Sequence, residues 1–144
     1  MIPAYFPNAE LSYLKIYDAA TVQQAFDAIA HHSQIEFNFP QGGCQQRAQM
    51  MSMMLAKIFT MDHCKVWLFP PVALYVGDER TLYIEDKTGL TYNGKIEWNY
   101  HVAPVVQVRS GNGVHTMVID PSINSNEPIL LNKWFAAIGN SGAG

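Results

Sequence analysis

Along one stretch of the chain, apolar side chains recur every three or four residues after a cysteine. The positions are Cys44, Ala48, Met51, Leu55 and Ile58. Such spacing is the pattern of one buried helix face, so it predicts a helix over residues 44–59. Two glycines stand directly before Cys44, and they place the cysteine at or near the start of this helix.

A second apolar pattern precedes the first and also has helical spacing. Val22, Phe26 and Ile29 fall on one face, and either Asp18 or Thr21 is a suitable N-cap because its side-chain oxygen can accept from a free backbone N–H. We expect a helix that ends near residue 32.

The middle of the chain is rich in residues that favour strands. We expect strands at residues 13–17, 64–69, 81–84, 96–108 and 114–119. A Gly-Asn-Gly turn at residues 111–113 joins the last two, which predicts a hairpin. Pro104 inside the longest run suggests a bulge or an edge strand. With a last helix over residues 131–138, the pattern predicts an α+β domain whose antiparallel sheet packs against N-terminal helices.

Composition adds limits to this picture. The chain has 144 residues, of which 49% are hydrophobic and 15% are charged, so it can build one hydrophobic core. We expect a single domain over residues 1–138. The last residues, 139–144, are glycine-rich and are typical of a tail or linker.

Charge and hydropathy exclude several classes of partner. The net charge is −3 with no basic run, so nucleic acid is not an expected partner. The longest apolar stretch, residues 66–76, is broken by two prolines and is too short to span a bilayer. No secretory signal is visible at the N-terminus. We therefore expect a cytoplasmic protein, or a domain of a larger protein that is delivered as a toxin or effector.

The first candidate for chemistry is Cys44. Free N–H groups and the macrodipole at a helix N-terminus stabilise a thiolate and lower its pKa. Gly43 permits backbone conformations closed to other residues and leaves room for a substrate. The alternative interpretation is a buried structural cysteine at the start of a core helix.

A nucleophilic cysteine needs an imidazole and a group that orients it. In a hairpin centred on residues 111–112, the residue numbers of each facing pair add up to about 223. His101 is therefore expected opposite residue 122. Asp120 is then two residues away on the same face, within diagonal reach. His115 is the rival base, but its place beside the turn predicts a surface position.

A metal site is a second use of such residues. His63 and Cys64, together with Cys44, His101 or His115, offer zinc ligands. No CxxC or HxxxH pair organises them, so neither a metal nor another cofactor is expected.

Three short blocks in this chain occur together in a known family. They are Gly43-Cys44-x-x-Arg47-Ala48, Trp98-x-Tyr100-His101-Val102-Ala103 and Ile119-Asp120-Pro121-Ser122. In this order they resemble the bacterial protein-glutaminases, which deamidate glutamine side chains in intact proteins. Gln45, Gln46 and Gln49 depart from the pattern of that family.

The resemblance implies a papain/transglutaminase-like core and a triad of Cys44, His101 and Asp120. It also implies a protein substrate that presents an exposed glutamine and, for a toxin, a cognate inhibitor or immunity protein. Trp98 and Tyr100 flank His101, and either can wall the substrate cleft or belong to the strand core. The alternatives are a transglutaminase or a cysteine protease with the same triad, or a binding module without turnover.

Overall fold

The structure of the protein is a computed structural model that describes residues 13–35, 37, 43–68 and 100–138, and the backbone of residues 82–85 and 95–98. The predicted tail at residues 139–144 and the turn signals at residues 88–94 lie outside these ranges. Within them, no helix is long and apolar enough to cross a membrane.

The three helices of the described residues are α1 (Ala19–Ala30), α2 (Cys44–Lys57) and α3 (Leu131–Ile138). Asp18 caps α1, and its side chain accepts from the backbone N–H of Thr21 at 2.7 Å. Helix α2 begins at Cys44, as the apolar spacing predicted. Its predicted face is buried except at Ile58, which is 63% exposed because the helix ends there.

The described strands are β1 (Ile16–Asp18), β2 (Cys64–Leu68), β3 (Leu82–Glu85), β4 (Lys95–Trp98), β5 (His101–Ser110), β6 (Gly113–Val118) and β7 (Ile129–Leu130). Five of them form one sheet around β5, which pairs with β6 on one side and with β2 and β1 on the other. All pairings in this sheet are antiparallel except that of β1 with β5. Strands β3 and β4 form a separate antiparallel pair.

The single long strand predicted over residues 96–108 is therefore two strands in two sheets. A continuous run of strand-forming residues does not reveal that its halves have different partners. Pro104 lies in the central strand and not at an edge. Its carbonyl accepts from the N–H of Ile119, just past the last paired residues of β6. Because proline has no N–H for the second bond of this pair, the β5–β6 ladder ends here, while Pro104 still lies opposite Lys65 of β2.

Helices cover both faces of the five-stranded sheet. Alternate residues of β5 face opposite sides. Val106 and Val108 pack with α1 and α2 in one core cluster, whereas Ala103 and Val105 pack with Trp134 and Ile138 of α3 in another. The α+β fold with N-terminal helices on the sheet is as predicted, and α3 adds a layer on the opposite face.

Candidate active site

Gly43 sets the start of α2 and therefore the position of Cys44. Its φ of 76° lies in the left-handed region, which costs other residues about 1–2 kcal/mol. A Cβ at this position would meet no atom closer than 3.5 Å, so the backbone conformation and not crowding requires glycine. Cys44 follows as the first helical residue and is 7% exposed, with the free N–H groups of the helix start around it.

His101 begins β5 and is 1% exposed. Its Nε2 donates to Oδ2 of Asp120 at 2.7 Å, so the contact predicted from the hairpin register is present. The observed pairs run from Ser110 with Gly113 to Val105 with Val118, and both sum to the predicted 223. Asp120 follows two residues after β6 ends, which brings its carboxylate to the start of β5.

Asp120 is buried, and both of its carboxylate oxygens accept hydrogen bonds. Oδ2 accepts from His101 and, at 2.9 Å, from the indole Nε1 of Trp134. Oδ1 accepts from the backbone N–H of Ser122 at 3.2 Å and from the Ser122 hydroxyl. These bonds fix the carboxylate while one lone pair remains directed at the imidazole.

The second side of the imidazole faces the thiol. Asp120 occupies Nε2, so Nδ1 is the ring nitrogen that remains for Cys44, and the interaction of the two side chains lowers the pKa of the thiol and raises that of the imidazole. The Cys44 Sγ also lies 3.7 Å from the backbone oxygen of Tyr100. Thiol, imidazole and carboxylate are therefore neighbours at the start of β5.

Burial favours the neutral forms of all three groups, but their mutual interactions are stronger. The pKa of His101 is raised to about 9, since the Asp120 charge and hydrogen bond and the adjacent Cys44 outweigh burial. Burial raises the pKa of Cys44, but the His101 hydrogen bond and charge, together with the charge of Arg47, lower it below its ordinary value. The pKa of Asp120 is also lowered, because His101, Ser122 and Trp134 stabilise the carboxylate against burial. Both shifts favour the charged pair, a thiolate beside an imidazolium, over the neutral pair.

Arg47 lies one turn into α2 and is 7% exposed. Its position one turn past Cys44 predicted a solvated or structurally paired arginine rather than one that orients substrate or braces the site, and the structure places it in the interior. Burial lowers the pKa of its guanidinium, whereas the charges of Asp120 and Cys44 raise it. Arg47 therefore adds positive charge to the buried part of the site.

The sequence analysis missed Trp134 and the role of Ser122. Trp134 is fully buried in α3, donates to Asp120, and stacks on the His101 ring at 5.7 Å between centroids and 28° between planes. No local pattern reveals these contacts. For Ser122 a signal existed, because Asp-Pro-Ser is a sequence in which a serine two residues on can bond the aspartate.

The predicted substrate-binding residues lie at different places. Tyr100 directly precedes His101, its hydroxyl donates to Oε1 of Gln45 at 3.1 Å, and its ring lies 5.7 Å from that of Trp67. Trp98 ends β4, and its side chain lies outside what the structure describes. Gly43 is exposed beside Cys44, so space remains at the thiol.

The remaining candidates lie away from this site. His115 is exposed on β6 opposite Val108, as expected, and Cys64 is a half-buried cysteine on β2 that forms no disulfide. Among the described side chains, no group of three histidines, cysteines or acids is arranged to hold a metal ion.

Comparisons with known proteins identify the family of this chain. Residues 22–138 match a family model described as glutaminase. The NMR structure of protein-glutaminase from Chryseobacterium proteolyticum is 27% identical, with a TM-score of 0.66 over 85% of this chain and 63% of that one. A crystal structure of protein-glutaminase is 25% identical, with the same TM-score over 87% and 64%.

A crystal structure of pro-protein-glutaminase is also 27% identical, with a TM-score of 0.66 over 85% of this chain and 42% of that one. The chain thus spans less than two thirds of the length of these solved proteins. No curated protein sequence gives a significant match. Because the family model covers most of the chain, the chain belongs to the protein-glutaminase family and has its papain/transglutaminase-like fold.

Proposed function

We propose that this protein is a protein-glutamine deamidase in which Cys44 is the nucleophile, His101 the general acid and base, and Asp120 the orienting group. The observation that carries the proposal is the buried Nε2–Oδ2 hydrogen bond of 2.7 Å between His101 and Asp120, beside a thiol at a helix N-terminus. Family membership supports the same reaction.

The charges favour a ready nucleophile. A cysteine attacks as its thiolate, and the lowered pKa of Cys44 increases the thiolate fraction at neutral pH. With a pKa of about 9, His101 carries a proton under the same conditions. The fraction of the protein in the thiolate–imidazolium form needs no further base for the first step.

In the acylation step, the Cys44 thiolate attacks the side-chain carbonyl carbon of a substrate glutamine. The oxyanion of the tetrahedral intermediate accepts from the backbone N–H of Cys44, which as the first helical residue has no partner within the helix. His101 transfers its proton to the amide nitrogen, the C–N bond breaks, and ammonia leaves. A thioester between Cys44 and the glutamyl group remains.

In the deacylation step, the neutral imidazole takes a proton from water, and the hydroxyl oxygen attacks the thioester carbon. The C–S bond breaks, glutamate is formed, and the thiolate–imidazolium pair is restored. The sum is one amide and one water converted to one carboxylate and one ammonium ion, since the released ammonia takes up the proton of the new carboxyl group. Asp120 holds the imidazole ring and stabilises its charge throughout.

The substrate side chain has to reach the thiol past small or flat groups. We assign Gly43, Tyr100 and Trp98 to the walls of this cleft. Gly43 is exposed next to the thiol, and the Tyr100 ring is held between Gln45 and Trp67. Flat aromatic walls fit the methylene groups of a glutamine.

The test is ammonia release from a glutamine-rich protein such as casein, with Gln-to-Glu conversion mapped by mass spectrometry. We expect the wild type and Cys64→Ala to release ammonia and Cys44→Ala to release none. A limiting dose of iodoacetamide should label Cys44 before Cys64 and stop the reaction. Cross-linking to lysine or chain cleavage in place of ammonia release would instead identify a transglutaminase or a protease. Labelling of Cys64 alone, with ammonia release unchanged, would contradict the assignment of Cys44.

The delivery of this domain as a toxin or effector, and a cognate inhibitor or immunity protein, stay predictions from the sequence. Co-purification of a tight-binding partner encoded beside this chain, with loss of ammonia release in its presence, would test both.

A further inference from the structure

A pocket of about 560 Å³ opens beside the first turns of α2. Its described lining comprises Gln45, Gln46, Gln49 and Lys65 as polar side chains and Trp67 and Val102 among the apolar ones. Val102 and Trp67 also belong to the cluster that buries Cys44. The pocket is therefore continuous with the wall of the proposed active site.

The polar groups of this pocket are mainly donors. Two of the glutamine oxygens each accept a hydrogen bond from a neighbouring side chain. Gln49 Oε1 accepts from Lys65 Nζ at 2.7 Å, and Gln45 Oε1 accepts from the Tyr100 hydroxyl at 3.1 Å. These bonds fix the oxygen end of each amide group, and the NH₂ end supplies the donors of the pocket. The ammonium of Lys65 retains two further N–H groups.

The described lining of the pocket carries positive charge only. Lys65 is the charged side chain of the described lining, and no carboxylate is part of that lining. A donor-rich pocket with a positive charge suits carbonyl and carboxylate oxygens and disfavours a cation.

The distance from Cys44 to Gln49 along α2 indicates which residue of a bound peptide can reach the pocket. Gln49 lies five residues after Cys44, so about 7.5 Å of α2 separates their backbones. An extended peptide advances roughly 3.3 Å per residue. If an extended substrate segment runs along α2 with its glutamine at Cys44, the residue about two positions away lies over Gln49 and Lys65.

On these grounds, and resting on the proposed deamidase function, we propose that the pocket selects protein segments with an acidic residue about two positions from the target glutamine. Lys65 binds the carboxylate, Gln49 holds Lys65 in place, and the amide groups of Gln45 and Gln46 bind the peptide carbonyls. Lys65 is thus a specificity-determining residue that takes no part in the chemistry.

The experiment uses alanine-rich peptides with a single glutamine and with glutamate, alanine or lysine two positions before or after it. We expect kcat/KM for the better glutamate peptide to exceed that of its lysine counterpart roughly tenfold and that of its alanine counterpart roughly threefold, since partly exposed ion pairs are modest. The preference should shrink at high ionic strength.

Two variants and one control isolate the pocket. Lys65→Glu should invert the order of the glutamate and lysine peptides. Gln49→Glu keeps the shape but places a carboxylate on Lys65, so the preference should disappear. Lys133→Glu changes the net charge equally at an exposed position on α3, on the opposite face of the sheet, and should leave the preference unchanged.

A binding measurement separates this proposal from the proposed function. In Cys44→Ala, NMR titration with the glutamate peptide should shift the side-chain NH₂ signals of Gln45, Gln46 and Gln49 more than the lysine peptide does. Equal rates and equal shifts for all peptides, or inversion by Lys133→Glu, would overturn the specificity pocket. Shifts without ammonia release from any substrate would retain the pocket and overturn the deamidase.

Discussion

The nucleophile and the base of the proposed site are positioned by different parts of the molecule. Cys44 takes its place from its immediate neighbours, Gly43 and the first turn of α2. His101 and Asp120 are instead held by side chains from separate segments, with Trp134 of α3 in contact with both. The first arrangement depends on local backbone conformation and the second on packing between layers.

The difference in burial has an energetic consequence. Asp120 and His101 are almost inaccessible, at 3% and 1% exposure, so a change at either leaves a buried donor or acceptor without its partner, at about 1–3 kcal/mol each. Replacing the Cys44 thiol removes only weak hydrogen-bonding capacity. We therefore expect substitutions on the base side to lower both activity and stability, and substitutions at Cys44 to lower activity alone.

The largest effect on the base side should come from His101→Ala. If His101 is the general acid and base, kcat should fall by several orders of magnitude, because the members of a triad act as a unit. His115→Ala is the matched control, since His115 is exposed on β6, and its kcat should stay close to wild type. Ammonia release by purified variants measures both. The opposite ranking would transfer the base role to His115.

Asp120→Asn should have the next largest effect. Both oxygens of Asp120 accept from donors, so an amide NH₂ in either place faces an N–H or hydroxyl group. We expect kcat to fall on the order of a hundredfold, less than the loss in serine proteases, because the thiolate–imidazolium pair is partly preformed. The free energy of unfolding should fall by about 1–3 kcal/mol.

Ammonia release and a urea titration of Asp120→Asn give these two values. If Asp120→Asn turned over at the wild-type rate, the catalytic unit would be a Cys44–His101 dyad. Asp120 would then have only a structural role, in the turn that it forms with Pro121.

Trp134→Phe tests whether α3 positions the base or only fills the core. Phenylalanine keeps a ring against His101 but removes the indole N–H that bonds Asp120. We expect kcat to fall roughly tenfold with KM unchanged. Trp134 contacts Asp120 and is not one of the residues assigned to the substrate cleft, so its loss should alter the position of the base and not the binding of substrate. Ile138→Val, a core change in the same cluster, should cost about 0.5–1.5 kcal/mol of stability without lowering kcat. Equal kcat values for the two variants would limit Trp134 to packing.

The smallest effect is a shift of the pH profile. Activity should rise with pH as the Cys44 thiolate forms and fall near pH 9 as His101 loses its proton. Since the Asp120 charge raises the pKa of His101, Asp120→Asn should move the alkaline limb to lower pH. A kcat/KM profile measures the limb, and an unmoved limb would show that the carboxylate does not stabilise the imidazolium.

The free energy of unfolding should also depend on the protonation of His101. The folded pKa of His101 is raised from 6.5 to about 9, so its contribution to stability is complete below about pH 6.5 and disappears as the pH rises through about 9. The difference in melting temperature between wild type and His101→Ala should narrow towards the alkaline end of this range, and a constant difference would contradict the raised pKa.

Much of the site was predictable because its determinants are local. The apolar spacing after Gly43 gave the start of α2, and the turn at residues 111–113 fixed the strand register that aligns His101 with Asp120. A hairpin with a short turn has one register that keeps its apolar face buried. The three sequence blocks then pointed to the family.

What the tertiary structure alone decided is how distant segments meet. The run over residues 96–108 divides between two sheets because β4 pairs with β3 while β5 is central, and strand propensity carries no information on partners. Likewise, Trp134 has the local pattern of an ordinary core residue. Its contact with His101 and Asp120 exists only because α3 packs on the sheet face opposite to α1 and α2. Local conformation follows from neighbours in sequence, whereas the environment of a buried charge follows from the packing of the whole fold.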